Sequence, residues 1–168
     1  MILTSHIIAS GLLGSTTKNY FIAGAIGLVS HYILDAIPHS EYSLNEAAFQ
    51  SGIKTGYFKN KKFWREIAKV ALDGLIGFAF LFIIIATAFK NYSPENSGSA
   101  AIGAFFGVLP DILQFLYWIT GWRFLKWNSD FQNFTHYFTY KCQNRAFRPG
   151  IITQIATIAI IFLTLYKI

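Results

Sequence analysis

Three ionisable side chains, His31, Asp35 and His39, stand four residues apart at the end of an apolar run, in "SHYILDAIPH". On a helix, four residues advance by about 400°, so His31 and Asp35 stack on one face. Pro38 disfavours helical geometry at Ile37, which predicts a helix end there and places His39 just past it, able to turn back. Imidazole nitrogens and a carboxylate within one turn suit a divalent transition metal, with zinc expected first and manganese or iron as alternatives. The same triplet also reads as two interfacial histidines with Asp35 hydrogen-bonded between them.

Other residues of the same kind follow. Asp73, in "VALDGLIG", lies inside an apolar stretch, where a carboxylate is costly unless paired. It reads as a general base, as a ligand or an orienter of a histidine, or as a helix-to-helix hydrogen bond or a pair with Lys69. Gly74 and Gly77 beside it allow close helix approach. Asp111 directly follows Pro110 in "GVLPDIL". A proline-broken helix presents a carboxylate as a ligand, or is a plain kink with a solvated aspartate. His136, in "NFTHYFTY", belongs to an aromatic-rich stretch that suits an interfacial helix. His6, in "TSHIIAS", falls in a first helical turn that Thr4 or Ser5 would cap.

The elements that must position these residues are apolar. The chain has 168 residues, 54% apolar and 13% charged, against about 45–50% and about 25% for soluble domains. Its mean hydropathy is +0.41. A membrane span needs about 20 mostly apolar residues. Segments 67–89, 99–120 and 150–167 qualify, and 20–37 does so while carrying His31 and Asp35. Segment 2–14 is too short to cross straight and reads as a half-helix, a re-entrant piece or an interfacial helix, ended by the turn "GSTTKN". The expectation is one all-α domain over 1–168, a small polytopic membrane bundle of four to five membrane helices, one of them short.

Basic segments at 40–66 and 121–149 separate the spans. A hairpin of 67–89 and 99–120 puts both on one side, and the excess of Lys and Arg makes that side cytoplasmic, in a bacterial inner membrane. Trp64, Trp118, Trp122 and Trp127 flank the spans there as an aromatic belt. This topology, built from Lys and Arg alone, brings all four histidines and three aspartates to one face. The net charge of +6 is accounted for by topology, so no specific nucleic-acid partner is expected. The single cysteine, Cys142, excludes a disulfide framework. The opening residues lack a basic n-region, so no secretory signal peptide is expected. No nucleophile elbow, phosphate loop or HExxH is present.

The set "SHIIAS", "GLVSHYILDAIPH", "GVLPDIL" and "FTH" resembles the inner-membrane-associated, LexA-binding type of metal-dependent hydrolases and related small bacterial membrane proteins. The histidine–aspartate core also looks like the zinc-binding helix of zinc-dependent phospholipase C and the S1/P1 nucleases. The resemblance implies His31, Asp35 and His39 as metal ligands, with His6, Asp111 and His136 as further ones; Asp73 is added from its apolar setting.

The leading expectation is a membrane-embedded, metal-dependent hydrolase acting on a phosphoester, such as a lipid headgroup, from the cytoplasmic face. The alternatives are a small ion or proton transporter using Asp73 and Asp111, and a non-enzymatic membrane scaffold whose polar residues fix helix packing. The partner common to all three is the lipid bilayer.

Overall fold

The computed structural model describes residues 2–39, 61–89, 92–143 and 147–166, the side chains of 137–149 excepted. Lys54 and Lys59 of the first basic segment, and Lys141, Arg145 and Arg148 of the second, therefore lie outside the described side chains.

Six α-helices make up the described chain: α1 (Leu3–Gly14), α2 (Tyr20–Ala36), α3 (Lys61–Ala88), α4 (Pro94–Thr120), α5 (Lys126–Gln143) and α6 (Phe147–Tyr166), with a short 3₁₀ turn at Arg123–Leu125 before α5. No strand occurs among the described residues. The all-α expectation holds at this level. Two helices, α3 and α4, are long and apolar enough to cross a membrane.

The helix ends follow local chemistry. Asn19 caps α2 by accepting from the amides of Phe21 and Ile22. Pro38 ends the same helix, leaving Ile37 extended at φ −85°, ψ 134°. Ser93 and Asn96 form a capping box at the start of α4, with Pro94 next in line. Gly121 ends α4 with φ 66°, a left-handed conformation that suits glycine. Helix α3 starts earlier than hydropathy alone predicts, because Lys61, Lys62 and Arg65 are good helix formers that extend it beyond the apolar stretch.

The short α1 is the hub of the bundle. It packs against α2, α3, α4 and α6, and nine of its residues, from Ser5 to Leu12 and Gly14, are buried. Ile7, Ile8 and Leu12 join Leu81, Ile85, Ala104 and Val108 in the main apolar core. Its 12 residues are enclosed by longer helices rather than laid on a surface.

Close approach is set by missing side chains. Gly14 of α1 lies so near Gly103 of α4 that a β-carbon there would come within 2.9 Å of the Gly103 Cα. Gly27 of α2 meets the carbonyl of the same Gly103 with no room for a β-carbon. Helices α1 and α2 thus both rest on one small-residue stripe of α4. Where they meet, Ser10 and Ser30 share a buried hydrogen bond of 2.7 Å.

Candidate metal centre

Helix α2 runs towards its C-terminus at the end of the bundle where α1 begins, and α4 brings Pro110 and Asp111 to the same level. Helix α5 then folds back against α2 and α4. Six residues meet there: His6 from α1, His31 and Asp35 from α2, His39 just beyond it, Asp111 from α4 and His136 from α5. They form two groups that could hold a metal ion, His6–His31–Asp111 and Asp35–His39–His136, with donor atoms within 4.8 Å of one another in each. They include all four histidines of the chain.

Asp35 stands between the groups. Its Oδ2 lies 3.0 Å from His31 Nε2. Its Oδ1 lies 3.2 Å from His6 Nε2 and 3.6 Å from His136 Nε2. Asp111 Oδ1 approaches His31 Nε2 at 3.8 Å. Two nitrogen or oxygen ligands held about 2.1 Å from a tetrahedral ion stand about 3.4 Å apart. The observed spacings bracket that value.

The histidine rings are oriented by the main chain. His31 donates Nδ1–H to the Gly107 carbonyl at 2.7 Å, His39 to Ile37 at 2.7 Å and His136 to Gln132 at 2.8 Å. A carbonyl only accepts, so each Nδ1 carries the proton and Nε2 is left as the donor nitrogen. His31 Nε2 faces two carboxylates, a contact that either a proton on Nε2 or a cation bound among them would satisfy. His6 adds a second sign. It is 0% exposed; its Nε2 faces Asp35 Oδ1 at 3.2 Å, and its Nδ1 makes no hydrogen bond among the described residues. A buried polar nitrogen left in that state costs about 1–3 kcal/mol unless something binds it. The donor set therefore fits a divalent ion: imidazole nitrogens and carboxylate oxygens, enclosed and pre-oriented.

Asp73 is placed elsewhere. Its Oδ2 accepts from the Thr4 amide at 2.9 Å and its Oδ1 from the Thr4 hydroxyl at 2.7 Å. Helix α1 has no side-chain cap of its own at Ile2. Thr4 and Ser5, the caps expected from sequence, lie inside the first turn, where Ser5 donates to the Ile2 carbonyl instead. The carboxylate of α3 thus serves the N-terminus of α1 across a tertiary contact, where a negative charge also suits the helix dipole. Gly77, one turn on, lets α3 approach the Thr4 backbone. The hydrogen bond falls on the residue two before His6. Asp130, the remaining aspartate, pairs with Lys126 at 2.7 Å on the exposed side of α5.

Three supporting residues escaped the sequence reading. The Gln132 amide lies 3.2 Å from both Asp111 Oδ1 and His31 Nε2. Asn128 donates to the Pro110 carbonyl at 3.0 Å and accepts the Tyr32 hydroxyl at 3.1 Å, tying α5 to α4 and α2. Gln154 of α6 reaches Ser5 at 3.5 Å. A signal for the first two was present: Asn128, Gln132 and His136 follow one another at four-residue spacing, the same period as His31, Asp35 and His39.

Comparison with family models, with curated proteins and with solved structures finds no match. The site has to be read from its own geometry.

Proposed function

We propose that this chain is a membrane-embedded, metal-dependent hydrolase of a phosphoester, with zinc as the first expectation for its metal and a lipid headgroup as a fitting substrate. The observation that carries the reading is the meeting of every histidine of the chain with Asp35 and Asp111 in one enclosed cluster, with donors spaced as ligands.

The membrane setting rests on surface chemistry. Leu75, Phe80, Ile83, Ile155 and Ile160 are exposed on α3 and α6, where lipid would cover them. In this reading α2, α3, α4 and α6 span the bilayer. The 17 residues of α2 extend about 25 Å, slightly short of a hydrocarbon core about 30 Å thick. The cluster end also carries Lys61, Lys62 and Arg65 on α3, Arg123 and Lys126 near the end of α4, and the exposed Trp64, Trp122 and Trp127. Positive residues and an aromatic belt on one side make it the cytoplasmic face of a bacterial inner membrane.

When bound, a divalent ion supplies Lewis acidity, acidifying a water and polarising a phosphoryl oxygen. The chain does the rest. Asp35, His6, His31, His39, Asp111 and His136 are the side chains that would bind metal, and the carbonyls of Gly107, Ile37 and Gln132 would keep three of the imidazoles in the donor tautomer. Gln132 steadies Asp111. Asp73 fixes the start of α1 and so the position of His6. Hydrolysis adds water across a P–O bond. The water oxygen bonds to phosphorus, the ester oxygen departs with the bonding pair and gains a proton, and phosphate and alcohol are the products.

The test is the metal content of detergent-purified protein by elemental mass spectrometry, beside a His31→Ala/Asp35→Ala double variant, followed by a phosphoester screen. Zinc, manganese or iron near stoichiometry that vanishes in the variant, with phosphate release by wild type alone, is the expected result. Folded wild type that takes up no metal from a zinc-containing buffer overturns the proposal and favours a scaffold or a proton relay.

A further inference from the structure

The five other donor residues divide three to two around Asp35, and the division has a chemical meaning. We infer that the cluster holds two divalent ions that share the Asp35 carboxylate. The inference rests on the metal-binding reading above and deepens it.

Geometry separates the two positions. His6, His31 and Asp111 form one set of donors, and His39 and His136 with Asp35 form the other. Each set contacts Asp35: His31 lies against Oδ2, His6 and His136 against Oδ1. One ion has no reason to collect six residues from five chain segments, because zinc takes four ligands at about 2.0–2.2 Å. Two ions sharing one carboxylate use all six. The first position then has four protein donors, His6, His31, Asp111 and Asp35, which is a closed set. The second has three, Asp35, His39 and His136, the count of a catalytic site that keeps a position for water or substrate.

Exposure differs among the donors. His6 and His31 are fully buried among α1, α2 and α4, and His39 is buried as well, whereas the Asp111 side chain is 28% exposed. His39 lines a small pocket with Ser5, Leu34, Pro38, Gln154 and Ile158, between the end of α2 and α6. The turn carrying His39 is held there by Thr153 of α6, whose hydroxyl donates to the Pro38 carbonyl. The His39 and His136 rings meet edge to face with centroids 5.3 Å apart, and each gives its Nδ1–H to a main-chain carbonyl.

Charge points to the ligand. Asp35 and Asp111 balance one divalent ion, so a second leaves an excess of two positive charges in an enclosed site. A doubly charged anion restores neutrality, which selects a phosphate monoester or inorganic phosphate over a neutral ester.

The test loads the full-length protein in detergent with manganese, counts ions by elemental analysis, and records the electron paramagnetic resonance spectrum with and without inorganic phosphate. Two ions per chain with an exchange-coupled spectrum that phosphate perturbs are expected. The His39→Gln/His136→Gln variant retains one ion, shows an isolated-ion spectrum and loses the phosphate effect by tenfold or more in affinity. Wild type that saturates at one ion with an uncoupled spectrum overturns the two-ion centre while leaving a single-metal hydrolase standing. Wild type that binds neither manganese nor, in a parallel loading counted by elemental analysis, zinc overturns both. Because the wild-type spectrum alone decides between one ion and two, a variant that fails to fold does not shield the inference.

Discussion

His31 of α2 gives its Nδ1–H to the Gly107 carbonyl of α4 across 2.7 Å, and this bond sets the ring so that Nε2 faces Asp35 and Asp111. Gly107 is also where α1 packs closely on α4: a β-carbon there would collide with the Ser10 side chain. One residue thus lies at both a close helix contact and the bond that orients a ligand.

Gly107→Ala should therefore damage both. Overpacking of this kind costs about 1–3 kcal/mol. The thermal midpoint in detergent should fall, and metal affinity should fall with it by an order of magnitude, as losses of orienting partners do. A variant that keeps full metal affinity would mean that the Gly107 contact orients nothing.

Asp35→Asn keeps the shape of the side chain and removes its charge. In wild type, metal at a hundredfold over its Kd should stabilise the fold by about 2.7 kcal/mol, a rise of roughly 5–10 °C in Tm for a chain of this size. The variant should show no metal-dependent rise. A differential scanning fluorimetry series against zinc concentration reads this directly, and an equal rise in the variant would remove Asp35 from the site.

Asp73 accepts hydrogen bonds from Thr4 of α1, so a positioning role and a proton-transfer role predict different outcomes. Asp73→Ala leaves the Thr4 amide without its acceptor and should cost about 1–2 kcal/mol. Asp73→Asn retains an oxygen acceptor and should recover most of that stability. If Asp73 only positions His6, activity lost in Asp73→Ala returns as metal concentration is raised, with the pH profile unchanged. Activity that stays low at saturating metal, with an altered pH profile in Asp73→Asn, would restore the general-base reading.

Gln132→Ala removes the donor to Asp111 Oδ1. Loss of such an outer partner commonly costs 10- to 100-fold in metal affinity or activity. Titration with a competing chelator should show a drop of about tenfold or more.

Topology is testable at the two ends of α4. In a Cys142→Ser background, Ser93→Cys and Trp122→Cys should label from opposite sides of the membrane, Trp122→Cys from the cytoplasm. Labelling of both from one side would rule out α4 as a span.

The chain's own order made much of the site legible. Apolar runs mark the helices and Pro38 marks the end of α2, because proline chemistry acts over a few residues. Lys and Arg placement indicated that the histidines share one end, since charge distribution needs no packing information. The six residues proposed as ligands are the six that the structure draws together. Tertiary structure decided what depends on contacts between distant segments. Asp73 and Thr4 are 69 positions apart, so no local pattern shows that one caps the other's helix. The enclosure of α1 could not be read from its length, because its neighbours supply the burial. Which Asp35 oxygen faces which imidazole is likewise set only by how the helices pack. Sequence spacing places residues on a helix face, but only the packing of α1, α4 and α5 against α2 fixes how those faces meet.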